Sequence, residues 1–131
     1  EQSSQNPVYY VQYAYARICS ILRNLESEGI TPRECTEKEL SLLTLPEERE
    51  LINLLAAFTK TVENAAAAYD PAKLTHYVVT VASQFHKFYN SCRIKGVEEE
   101  LLQARLTLCI AARTVIKNVL TALKISTPES M

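Results

Sequence analysis

The chain has 131 residues, 47% of them hydrophobic and 22% charged, the proportions of one folded domain and not of a disordered segment. Its glycines are only Gly29 and Gly96, too few for a GxGxxG or GxxxxGK phosphate loop, and a hairpin-rich β fold is disfavoured for want of residues tolerant of positive φ. No apolar run approaches the ~20 residues needed to span a bilayer, and a net charge of −1 points by itself to no strongly charged partner.

Asn6-Pro7 reads as an N-cap followed by proline at the first helical position. Val8, Val11, Tyr15, Ile18, Leu22 and Leu25 then recur every three or four residues and predict one apolar helix face. Gly29 and Thr31-Pro32 stop that helix. Thr36 with Glu39 is a capping-box spacing and predicts a short helix over Glu37–Leu43. Thr44 with Glu47 repeats the spacing around Pro46. A long helix to about Ala68 is predicted next, with Leu51, Leu55, Phe58, Val62, Ala65 and Tyr69 as its stripe.

Asp70-Pro71 restarts the pattern, and Leu74, Val78, Val81, Phe85 and Phe88 form the following stripe. Asn90–Gly96 is a break. Glu98, Glu99 and Glu100 suit a helix N-terminus, where negative charge is favoured. The final helix is predicted to run to about Lys124, with Leu101, Leu108, Ala112, Val115, Val119 and Leu123 on one side. The expected fold is all-α: one domain over residues 1–131, a bundle of four long helices plus one short helix.

Charge is uneven along the chain. Residues 1–70 carry a net −5 and residues 71–131 a net +4, so an anionic partner would be expected on the side of the second half. Glu1–Asn6 is polar and unlike a signal peptide. The chain opens without methionine, which is the expectation for a fragment or a processed chain.

Catalytic groups do not converge. Cys19, Cys35, Cys92 and Cys109 form no CxxC pair, and His76 and His86 are ten apart, so no metal site is expected. Cys19 and Cys109 stand among apolar residues and read as core; a reduced, cytoplasmic protein is the simplest expectation. The single aspartate, Asp70, has a capping job. Glu34–Glu39 and Glu47–Glu50 read as solvated helix starts.

The unusual segment is Tyr9-Tyr10-Val11-Gln12-Tyr13-Ala14-Tyr15, with four of the seven tyrosines. Tyr10 and Ala14 share a face beside the apolar stripe, with Arg17 next to them, while Tyr9 and Tyr13 point further towards solvent. Rings beside an arginine suit base stacking and phosphate contact, because every base presents a π-face. A second group, Tyr89, Asn90 and Arg93, falls at a helix end and in the loop after it, a common place for recognition. The alternatives are a helical protein-interaction bundle without RNA binding, in which the tyrosine face docks another protein, and an isolated helical enzyme.

The segment Asn6-Pro-Val-Tyr-Tyr-Val-Gln-Tyr-Ala-Tyr-Ala-Arg17 resembles the start of the C-terminal helical domain of arginyl-tRNA synthetases. The resemblance continues through Phe85-His-Lys-Phe-Tyr-Asn90, Ala104-Arg-Leu106 and Ala111-Ala-Arg113, and ends at Thr127-Pro-Glu-Ser-Met131. It implies an anticodon-binding module of the DALR type, belonging to a class I ligase that joins arginine to its tRNA with ATP. The HIGH and KMSKS-type motifs are absent. The resemblance therefore implies a C-terminal fragment that is inactive alone and holds no cofactor, with ATP bound by the catalytic domain of the parent. Implied partners are the anticodon loop of arginine tRNA and that catalytic domain, with no membrane and no DNA. The family's anticodon contacts fall on Tyr10, Ala14, Tyr89 and Met131; Gln12, Tyr13, Arg17, Asn90 and Arg93 lie in or beside the same motifs. The chain departs from the family at Tyr15, where histidine is frequent, and at Ser130, where arginine is frequent.

Overall fold

The computed structural model describes residues 6–124 and residue 129. The expectations for Ser130 and Met131 lie outside the described residues. Six helices follow in order: α1 (Pro7–Ser27), α2 (Glu37–Leu40), α3 (Pro46–Ala56), α4 (Phe58–Ala68), α5 (Pro71–Ser91) and α6 (Glu99–Ala122), and the described residues contain no strand. The all-helical class agrees with the sequence reading.

The predicted caps on α1, α2 and α5 form. The Asn6 side chain accepts the Val8 N–H at 2.9 Å and Asp70 accepts the Ala72 N–H at 3.1 Å. Thr36 and Glu39 close a reciprocal capping box. The Arg33 guanidinium holds Glu39 in a two-point contact, at 3.0 and 2.7 Å. Gly29 ends α1 at a φ of 82°, and the Ile30 N–H returns five residues to the Leu25 carbonyl; only glycine takes this left-handed position without steric cost.

Three expectations are corrected. The capping pair before α3 is one residue later than Thr44 and Glu47: Pro46 opens the helix, and Glu48 reaches back to the Leu45 N–H at 3.0 Å. The long helix is broken in two at Ala57, whose ψ is −1°. There the Leu54 carbonyl accepts the Ala57 N–H and also the buried Tyr77 hydroxyl, at 2.6 Å. An uninterrupted helix commits that carbonyl to the N–H four residues on; the phenol of α5 takes it instead. Burial also raises the Tyr77 pKa to about 12. Finally, Tyr69 leaves the stripe. It caps α4 in the left-handed region at φ 53° and is 93% exposed.

α5 is the hub, packing against α1, α3, α4 and α6. Its predicted stripe of Leu74, Val78, Val81, Phe85 and Phe88 is buried, with Tyr77 and Ala82 added. Val8 and Leu22 at the margins of α1 are only partly covered. Of the stripe predicted on α6, Leu108, Ala112 and Val119 are buried but Leu101, Val115 and Leu123 only partly so, and Ile116 and Leu120 are buried beside it. Because α1, α2, α3 and α5 all pack on α6, Leu102, Gln103, Ala104, Arg105 and Leu106 are consecutive buried residues. Their polar members are matched. The Gln103 amide accepts the Arg33 N–H and donates to the Thr31 carbonyl, both at 2.9 Å, tying the α1–α2 loop to α6. Arg105 Nε donates to Glu48 at 2.6 Å, and its Nη1 donates to the Arg93 carbonyl at 2.6 Å. Glu48 is wholly enclosed; the expectation of a solvated helix start fails there because a distant guanidinium supplies its counter-charge.

Candidate nucleic-acid interface

Two helix faces make the site. On α1, Tyr9 and Tyr10 stand four and three residues before Tyr13 and Arg17 four after it, and on α5 Tyr89 and Asn90 stand three and four after His86, so each set projects from one side of its helix. α1 packs directly on α5. Between them lies an open depression of about 380 Å³ lined by Tyr9, Tyr10, Tyr13, Arg17, His86 and Asn90. A second depression of about 350 Å³ begins at Tyr89 and is lined by Leu25, Cys92, Arg93, Ile94 and Lys95.

Arg17 and Tyr89 stand where the two depressions approach each other. The Arg17 Cζ sits over the Tyr89 ring, 5.4 Å from its centroid. Arg17 Nη1 is 3.0 Å from His86 Nδ1. Arginine carries donors only, so His86 Nδ1 is the acceptor and the ring's proton is on Nε2. Tyr10 meets His86 edge-on, at 5.7 Å between centroids, and Phe85 lies against Tyr89 with the rings 15° from parallel and 6.0 Å apart. Burial, and then the neighbouring Arg17 charge, hold the His86 pKa below its ordinary value of 6.5.

The structure thus brings together Tyr10, Tyr13, Arg17, Tyr89 and Asn90, and sets the exposed Arg93 beside them in the second depression. Tyr13 is 46% exposed. Gln12 is half-covered and lines neither depression. Ala14 is fully enclosed, at 0% exposure, so its methyl belongs to the α1 core face and presents no surface to a base. Met131 lies outside the described residues. His86 is not among the site residues expected from sequence, although its spacing of three and four from Tyr89 and Asn90 marks the shared face. Among the described residues no group of three or more histidine, cysteine or acidic side chains could hold a metal ion, and no helix is long and apolar enough to cross a membrane.

Fold and depression together define a helical-bundle domain that carries a ring-and-arginine surface. The sequence pattern of the DALR anticodon binding domain matches residues 11–131, and the chain belongs to that family. Among curated relatives, the arginine–tRNA ligases of Acetivibrio thermocellus and Ruminiclostridium cellulolyticum are 50% and 52% identical over all 131 residues. The chain spans 23% of the length of each. Among solved structures, the arginyl-tRNA synthetase of Thermus thermophilus superposes with a TM-score of 0.82 at 30% identity, over 98% of this chain and 22% of that one. A putative arginyl-tRNA synthetase from Campylobacter jejuni gives 0.78 at 25% identity, over all of this chain and 28% of that one.

Proposed function

We propose that this chain is the part of an arginine–tRNA ligase that reads the anticodon loop of arginine tRNA in the cytoplasm. The carrying observation is the convergence of Tyr10, Tyr13, Arg17, His86, Tyr89 and Asn90 from two helices 69 residues apart at the Arg17–His86 contact. All arginine codons have a middle G, so every arginine anticodon has a middle C. That base is the one a reader can use in common, and a splayed base can be stacked on rings and read at its Watson–Crick edge. Tyr10 supplies ring surface, Tyr89 a ring that backs the Arg17 guanidinium, Asn90 an amide for an edge, and Arg93 a charge for phosphate. Aminoacylation with ATP belongs, in this reading, to the remainder of such a ligase, which also contacts this domain.

The test is a titration of an arginine anticodon hairpin against the same hairpin with its middle C replaced. The wild-type chain is expected to prefer the first. Tyr10→Ala and Tyr89→Ala are each expected to lose affinity by about tenfold to a hundredfold, the value of one stacked ring. Equal binding of both hairpins overturns the reading.

A further inference from the structure

A cation beside an RNA-binding face is ordinarily expected to seek phosphate. Arg17 is placed otherwise. Its guanidinium is held at one nitrogen by His86 Nδ1, at 3.0 Å, and its central carbon lies over Tyr89, 5.4 Å from the ring centroid. Tyr89 is in turn packed against the buried ring of Phe85. A base entering the depression towards Tyr89 therefore meets the guanidinium before the phenol. Guanidinium planes are weakly hydrated and accept a stacked base. The His86 ring is itself wedged, with Tyr10 edge-on at 5.7 Å and Phe85 at 6.0 Å, so its Nδ1 is aimed by packing on two sides.

We infer that His86 is a positioning residue: its Nδ1 keeps the Arg17 guanidinium over Tyr89, where it serves as a stacking surface for an unpaired base and not as a phosphate ligand. The inference rests on the anticodon reading above. It also implies acid sensitivity. α1 and α5 are the elements that line the depression. From α1, Arg17 and the phenols of Tyr9, Tyr10 and Tyr13 face it; from α5, His86 and Asn90 do, with Tyr89 behind Arg17. Among the described residues no carboxylate lines the depression to hold an imidazolium beside the guanidinium. Burial and Arg17 both oppose protonation of His86; once protonated, Nδ1 no longer accepts and Arg17 is released.

The experiment uses the 131-residue chain and the arginine anticodon hairpin. Arg17→Lys keeps the charge and loses the plane; it is expected to cost about as much affinity as Arg17→Ala, of the order of tenfold for a lost stacking surface, with the salt dependence of binding unchanged. His86→Phe, which keeps a ring and removes the acceptor, is expected to weaken binding, and His86→Asn, whose amide oxygen can stand near Nδ1, to restore most of it. Wild-type affinity is expected to hold through neutral pH and to fall only on acidification below the ordinary histidine value of 6.5, and His86→Asn to show no such fall. Long-range nitrogen–proton spectra of the free chain read the tautomer with no variant needed: a proton on Nε2 supports the inference and a proton on Nδ1 overturns it. Wild-type affinity in Arg17→Lys, with a salt slope reduced by about 0.7 in Arg17→Ala, as for one lost phosphate contact, also overturns it. Hairpin binding that ignores the middle base overturns the anticodon reading alone, since the Arg17 and His86 comparisons are still read on that binding. No hairpin binding at all overturns both.

Discussion

Glu48 and Arg105 carry the costliest polar contact among the described residues. Both are buried, and the 2.6 Å pair is completed by the Leu45 N–H on the carboxylate and the Arg93 carbonyl on the guanidinium. Removing one partner of such a pair leaves an uncompensated charge in the core. Glu48→Gln is therefore expected to destabilise the chain by about 3–5 kcal/mol, whereas a paired replacement by apolar residues of similar volume should recover most of that loss; urea denaturation of the single and double variants measures both. Sequence could not reveal this contact, since its partners stand 57 residues apart and no local pattern joins them. The caps at Asn6, Thr36 and Asp70 were legible for the opposite reason: each acts on a backbone N–H two or three residues away.

The break between α3 and α4 shows how a neighbour overrides local preference. Periodicity carried one apolar stripe through Ala57, and alanine favours helix, yet the chain turns there because the Tyr77 hydroxyl competes for the Leu54 carbonyl. Tyr77→Phe is expected to cost about 1 kcal/mol, the net worth of one hydrogen bond, seen as a lower melting temperature. For α2 the determinant is charge. The Arg33 contact, followed by the Thr36 backbone N–H, holds the Glu39 pKa down to about 2, from an ordinary 4.5. A depressed carboxylate contributes its stability in full above the unfolded value and loses it as pH falls towards the folded one. The protection of α2 amides, relative to their intrinsic exchange rates, is thus expected to fall between about pH 4.5 and pH 2, at pH values where distant helices keep theirs; Glu39→Gln should remove that step.

Over the whole molecule, the charge imbalance read from sequence acquires a place. The ring-rich helix α1 belongs to the acidic half and α5, with Lys87 and the Arg93 loop, to the basic half, so the interface lies across the boundary. Affinity for RNA should then depend on few phosphates. Arg93→Ala is expected to lower the slope of log affinity against log salt by about 0.7, the value of one single-stranded phosphate contact, in a titration series over salt. Helix class and the tyrosine–arginine face were legible because both repeat within one helical turn. The enclosure of Ala14 and of the run Leu102, Gln103, Ala104, Arg105 and Leu106 in α6 was not, because it depends on which neighbours arrive on the remaining sides. The buried clasp between α3 and α6 has a kinetic consequence. Its halves stand 57 residues apart, with α4 and α5 between them in the chain, so closing it costs more loop entropy than contacts between neighbouring helices and late closure is expected. Mutants at Glu48 should accordingly denature faster while refolding at nearly the parental rate, so the pair acts as a brake on opening and not as a seed for assembly.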